Sequence, residues 1–269
     1  MALQVRRLFR TEIRRSRGKY NLKAYLKRCI KSLLRIGVPQ LKLRIVRDFK
    51  HDPRAFTQGL TYSDGLIYES TGKPGKSSVR CLDPCTGQIL LMRPTPDADV
   101  WAEGLSVQGN RLIQLTWKHR KAFVYSLPDL APTGEIKYSG EGWGIATDHG
   151  LFVTSDGSDQ LMFRDKHFEI TRRVRVTLNR IPIKRLNDLE FVEGIVYANV
   201  WYSSEILAIS AQSGKVLAIY DCQDLVLLEN PSEAEAVLNG IAFNPNRGTF
   251  FLTGKYWARI FEVEFDSFE

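Results

Sequence analysis

A glutamate in Glu103-Gly104-Leu105, a lysine in Thr253-Gly254-Lys255 and three tryptophans, Trp117, Trp143 and Trp201, occupy matching places in five stretches of this chain. Gln58, Asn187 and Asn239 hold further places of the same kind, and Glu69 and Ser155 fill the remainder. Indole walls with a few directed polar groups compose a pocket for a small polar ligand. The four histidines, His51, His119, His149 and His167, are scattered, and none forms an H-E-x-x-H pair. No Ser or Cys has a histidine beside it in sequence, and no glycine loop could cradle a phosphate. Plainer roles exist for each residue: tryptophans as packing, Glu103 and Lys255 as a salt bridge, asparagines as turn caps. Three tryptophans at equivalent positions favour a pocket wall, whereas Asn239 reads as a structural cap.

The elements that must position these side chains are repeats. Gln58-Gly59-Leu60, Glu103-Gly104-Leu105, Trp143-Gly144-Ile145, Asn187-Asp188-Leu189 and Asn239-Gly240-Ile241 follow one another at spacings of 40–52 residues. After each comes a turn, then strands rich in β-branched and aromatic residues, such as LIYES, RLIQLTW, LFVTSDG, IVYANVW and TFFLTGKYW. Third and fourth strands complete four of the copies, but the fifth has no fourth strand. Residues 41–48, LKLRIVRD, alternate as a strand and can supply it. Radially repeated four-stranded units of this length predict an all-β, five-bladed β-propeller closed by its N-terminal strand. The first strand of each blade then lines the channel, so the five heads meet at one mouth, and the second strands return there with Glu69, Trp117, Ser155, Trp201 and Lys255.

Charge divides the chain at the same boundary. Residues 1–40 carry twelve Lys or Arg and one acid, Glu12, which leaves 26 basic and 29 acidic side chains to residues 41–269. A body with no basic excess argues against nucleic acid as the partner. From Tyr20, apolar residues recur at helical spacing through Leu34, ahead of Gly37 and Pro39, so residues 1–40 read as a basic amphipathic extension. Such a helix suits the surface of an anionic membrane, an organelle-targeting role, or a solvated arm. The sequence shows neither a membrane-spanning run nor a signal peptide, which points to a soluble or peripherally attached protein. Cys29, Cys81, Cys85 and Cys222 are too few for a disulfide framework. Cys81 and Cys85 flank an Asp-Pro turn, where pairing, metal binding and free thiols are all open, with free thiols the plainest reading.

The segments HDPRAFTQGL, SSVRCLDPCTG, WAEGL, LTW, GWGIATD, RLNDLE, YANVW, LNGIAF and TGKYW resemble, in order and spacing, the glutaminyl cyclases of plants and bacteria across roughly residues 45–265. That resemblance implies a five-bladed propeller acting as an acyltransferase, closing the N-terminal glutamine of a peptide or protein into pyroglutamate with loss of ammonia. It implies Glu103 as the proton-transfer residue and brings in Phe56, of the FTQGL motif, beside Gln58. Trp117, Trp143, Trp201 and Asn187 would bind substrate, and Lys255, with Gln58 or Asn187, would hold the developing oxyanion. The expected enzyme works as a monomer and needs no cofactor for catalysis, with room for a structural metal ion in the channel. A propeller that binds peptides without turning them over, and a metal-dependent propeller hydrolase, are the competing readings.

Overall fold

The computed structural model describes residues 35–268 apart from 149, so the expected basic helix lies outside the described residues. Among the described residues the first strands are β1 (Gln40–Leu41) and β2 (Leu43–Lys50). Blade one follows as β3 (Thr57–Ser63), β4 (Leu66–Thr71), β5 (Ser78–Leu82) and β6 (Ile89–Pro94). Blade two holds β7 (Ala102–Gln108), β8 (Arg111–Thr116), β9 (Lys121–Ser126) and β10 (Pro132–Lys137), and blade three β11 (Ile145–Asp148), β12 (Leu151–Thr154), β13 (Gln160–Arg164) and β14 (Ile170–Arg175). A small hairpin, β15 (Thr177–Leu178) and β16 (Ile181–Pro182), precedes blade four, which is β17 (Leu186–Val192), β18 (Ile195–Val200), β19 (Glu205–Ser210) and β20 (Val216–Asp221). Helix α1 (Gln223–Glu229) leads to blade five, β21 (Leu238–Asn244), β22 (Thr249–Gly254) and β23 (Arg259–Phe265).

Tight turns of the primed type join the first two strands of several blades. Asp64 and Gly65 have φ of 50° and 82°, and Glu193 and Gly194 have 50° and 81°. Two consecutive left-handed residues match the twist of the flanking strands. The ring is closed as the repeats required: β2 pairs antiparallel with β23 from Leu43↔Phe265 to Lys50↔Arg259. The expected strand over 41–48 is divided, however. Gln40 and Leu41 instead pair in parallel with Ile219 and Tyr220 of β20, adding a fifth strand to blade four. The outer strand of blade three ends at Arg175, and after Val176 the residues Thr177 and Leu178 turn away into the hairpin with Ile181 and Pro182.

The five inner strands β3, β7, β11, β17 and β21 touch in a ring, each packing against the next. The second residue of each head explains how closely. A Cβ on Gly59 would lie 2.8 Å from Gly104 Cα, one on Gly104 would lie 2.8 Å from Gly144 Cα, and one on Gly144 would lie 2.0 Å from Asn187 O. Backbone packs on backbone around the channel, which only glycine permits. The fourth copy has Asp188 in this place, and its Oδ2 accepts the N–H of Leu60 at 3.1 Å and of Ile241 at 2.9 Å. Between the blades lie apolar clusters, such as Phe49, Leu60, Ile67, Leu82, Phe251 and Ile260 at the seam of blades five and one.

Candidate active site

At one mouth of the channel the blades enclose a cup of about 270 Å³, lined by Phe56, Gln58, Trp101, Glu103, Trp117, Trp143, Asn187, Trp201, Tyr202, Glu235 and Lys255. All eight side chains singled out in the sequence as site residues meet here. Gln58, Glu103 and Asn187 stand at the starts of β3, β7 and β17, whereas Trp117, Trp201 and Lys255 directly follow β8, β18 and β22. Antiparallel hairpins bring those two sets to one end of the ring.

Two residues expected at the mouth are elsewhere. Glu69 is opposite Leu60, two residues below the end of β4, and is fully buried. The position equivalent to Trp117 and Lys255 is Gly72, whose missing side chain admits Trp101: a Cβ there would lie 2.7 Å from Trp101 Nε1 and 2.9 Å from Gln58 Cγ. Ser155 is at a strand end but does not line the cup. Its Oγ donates to Asn187 O at 2.7 Å and accepts the N–H of Gly144 at 2.8 Å, fixing the backbone under two cup residues. Asn239 is a structural cap, donating from Nδ2 to Thr57 O at 3.1 Å. Cys81 and Cys85 are both free thiols, one buried and one exposed. Among the described residues no three His, Cys, Asp or Glu side chains converge as a metal set.

The walls are locked edge to face. Trp101 meets Phe56 at 5.6 Å and Trp117 at 5.7 Å between centroids, and Trp143 meets Trp201 at 5.6 Å. Glu141 grips two of these rings, its Oε2 accepting Trp117 Nε1–H at 2.8 Å and Trp143 Nε1–H at 3.1 Å. Lys255 Nζ sits 4.5 Å from the Phe56 centroid, and Lys73 Nζ 4.4 Å from the same ring. Trp101, Tyr202, Glu235 and the gripping role of Glu141 were not anticipated. Trp101 and Tyr202 adjoin anticipated residues, two before Glu103 and one after Trp201, and this adjacency was the available signal.

Electrostatics make Glu103 and Lys255 a matched pair. Burial pushes the Glu103 carboxyl well above its ordinary value. Lys255 draws it back, and Glu141 and Asp188 push it further up. Burial lowers Lys255 to about 8, against the pull of Glu103. Three buried polar atoms of the cup, Gln58 Oε1, Asn187 Oδ1 and Trp101 Nε1, have no hydrogen-bond partner. Two orphaned acceptors, an orphaned donor and a cation face one small space, and a buried polar group without a partner costs about 1–3 kcal/mol. A ligand bearing N–H donors and a carbonyl would satisfy them.

Fold and cup together define a five-bladed propeller with an aromatic pocket at one mouth that contains an acid and a base. The family profile for glutamine cyclotransferase matches residues 23–265, and the chain belongs to that family. It is 36% identical over 228 residues to the glutaminyl-peptide cyclotransferase of Arabidopsis thaliana, spanning 83% of this chain and 71% of that one. The crystal structure of Myxococcus xanthus glutaminyl cyclase matches with a TM-score of 0.80 at 36% identity, over 86% of this chain and 100% of that one.

Proposed function

We infer that this protein is a glutaminyl-peptide cyclotransferase, converting N-terminal glutamine of peptides into pyroglutamate and releasing ammonia. The observation that carries the reading is the sharing of one indole-walled cup by Glu103, Lys255 and the unpartnered amides of Gln58 and Asn187. An N-terminal glutamine offers an α-amine and an amide N–H₂ to the orphaned acceptors, and carbonyl oxygens to Lys255 and Trp101.

In the proposed mechanism the neutral α-amine attacks the side-chain amide carbon. Glu103, as carboxylate, takes the amine proton while the new C–N bond forms, and Lys255 holds the oxygen that becomes negative. Collapse of the tetrahedral adduct breaks the original C–N bond, and Glu103 returns its proton to the departing nitrogen, which leaves as ammonia. A carboxyl raised by burial suits both halves of this transfer, an effect worth roughly 10²–10⁴ in rate. The tryptophans and Phe56 exclude water and fold the flexible side chain into a shape from which the amine can attack. These groups themselves supply the proton transfer and charge stabilisation that the reaction needs.

The test is ammonia release from a glutaminyl peptide beside its Nα-acetylated and N-terminal asparaginyl counterparts. Only the first should react; equal release from the acetylated peptide would make the protein a plain amidase. We further propose that the enzyme acts as a monomer, since one chain completes the cup, and that residues 1–40 contact an anionic membrane surface. Sedimentation at several concentrations and salt-sensitive binding to anionic vesicles test these points.

A further inference from the structure

Resting on the cyclotransferase reading, we propose that the enzyme selects peptides carrying acidic residues a few positions after the glutamine, through a cationic ramp that leads away from the cup. Residues 166–185 hold seven Lys or Arg and a single acid, Glu169, in a body where acids outnumber bases. Arg172 and Arg175 are engaged, the first donating to Gln212 O at 3.3 Å and the second paired with Asp159 at 3.2 Å. Arg173, Arg180, Lys184 and Arg185 are exposed, and among the described residues they have no carboxylate partner.

Arg180 lies in the turn of the hairpin β15–β16, and Lys184 and Arg185 follow it on the way to β17 and the cup. Arg185 stands two residues before Asn187. Its N–H donates to Gly157 O at 2.8 Å, and its own C=O accepts the N–H of Trp201 at 2.9 Å. Gly157 lies directly against the ring of Trp143, where a Cβ would come within 2.6 Å. Arg185 is therefore clamped between Gly157, which backs the Trp143 ring, and the backbone of Trp201. Several other rim charges are engaged: Glu235 pairs with Lys73 at 2.9 Å, Glu141 takes the two indole N–H groups, and Lys118 lies over the Trp117 ring at 3.8 Å. The arc between blades three and four offers three exposed cations close together in sequence, Arg180, Lys184 and Arg185, without a carboxylate partner among the described residues.

A substrate that enters glutamine-first must run its remaining chain over the rim. Residues two to five beyond the glutamine extend roughly 7–18 Å at about 3.3–3.6 Å each, long enough to leave the cup and pass over its rim. Two or three exposed pairs would raise kcat/KM by about five- to tenfold at low ionic strength, mostly through encounter, and salt would screen the effect.

The experiment compares Gln-Ala-Glu-Glu-Ala-amide, Gln-Ala-Gln-Gln-Ala-amide and Gln-Ala-Lys-Lys-Ala-amide, with glutamine amide as the substrate too short to reach the ramp. The full chain is assayed beside the triple variant Arg180→Gln, Lys184→Gln, Arg185→Gln. The wild type should rank acidic over neutral over basic, 0.5 M salt and the triple variant should each flatten that ranking, and glutamine amide should react equally in both proteins. Equal rates for the three peptides in the wild type, or a ranking that survives in the variant, overturn the proposal. So does a variant that keeps the ranking but loses binding to phosphatidylserine vesicles, which would assign the cations to a lipid surface. Failure of glutamine amide itself to release ammonia would refute the cyclotransferase reading instead.

Discussion

Glu69 and Glu103 lie on neighbouring blades, both buried, each beside a basic side chain. At the seam where the ring closes, Glu69 Oε1 accepts from His51 Nε2 at 2.9 Å and from Thr57 Oγ1 at 2.7 Å, and Arg80 stands 3.5 Å from Oε2. His51 Nδ1 meets Trp257 O at 2.7 Å, so the network ties the incoming chain to blade five. Burial works against both charges, yet Glu69 is lowered by His51, Arg80 and Thr57, and His51 is raised by Glu69 and the Trp257 carbonyl. In the cup the directions reverse: burial raises Glu103 and lowers Lys255, and no hydrogen bond offsets it. The difference shows what decides the state of a buried acid. Donors aimed at the carboxylate stabilise its charge, whereas an apolar surround without donors keeps a proton available. The first arrangement suits a structural tie and the second suits proton transfer.

Exchanging each acid for its amide separates the two roles. Glu103→Gln should lower kcat by about 10²–10⁴ and leave the melting temperature unchanged or raised, since the seam is untouched; ammonia release and calorimetry read both. Glu69→Gln should destabilise the fold by about 3–5 kcal/mol, the cost of breaking a buried ion pair, while each folded molecule keeps its rate. Denaturant titration checks this, and a loss of rate without loss of stability would place Glu69 in the chemistry. Lys255→Met should cost about 2.7–4 kcal/mol in transition-state stabilisation, falling on kcat more than on KM. In the wild type the rate should decline as pH rises through about 8, where Lys255 gives up its proton, and that descending limb should vanish in the variant.

The smaller effects concern pH. The ordinary values of His51 and Glu69 are 6.5 and 4.5, raised and lowered respectively in the fold. Their contribution to stability is therefore complete between those values. It is lost as pH falls through the folded value of Glu69, and again as pH rises through that of His51. Melting temperatures across pH should show this plateau, and Glu69→Gln should flatten it. Glu141→Gln removes a negative charge that pushes Glu103 upward, so the ascending limb of kcat should move to lower pH.

Much of this was legible in the sequence because the ring imposes a repeated constraint. The head position, glycine in four copies and Asp188 in the fourth, recurs where inner strands pack closely, and the residue before it faces the mouth in four of the five, which located Gln58, Glu103, Trp143 and Asn187. Features occurring once were not legible. Glu235 belongs to the stretch between blades four and five, which has no counterpart in other repeats. Glu141 acts by orienting two indoles from a loop. Glu69 was misplaced because β4 continues to Thr71, so the strand end falls at a glycine with no side chain to mark it. The parallel pairing of Gln40 and Leu41 with β20 had no repeat to announce it either.

The most direct measurement is ammonia release per folded molecule by Glu103→Gln and Glu69→Gln, side by side at neutral pH. A hundredfold or greater loss in the first, with the second matching the wild type, is the expected result. A Glu103→Gln protein that cyclised glutamine at the unaltered rate would contradict the assignment of proton transfer to this carboxyl.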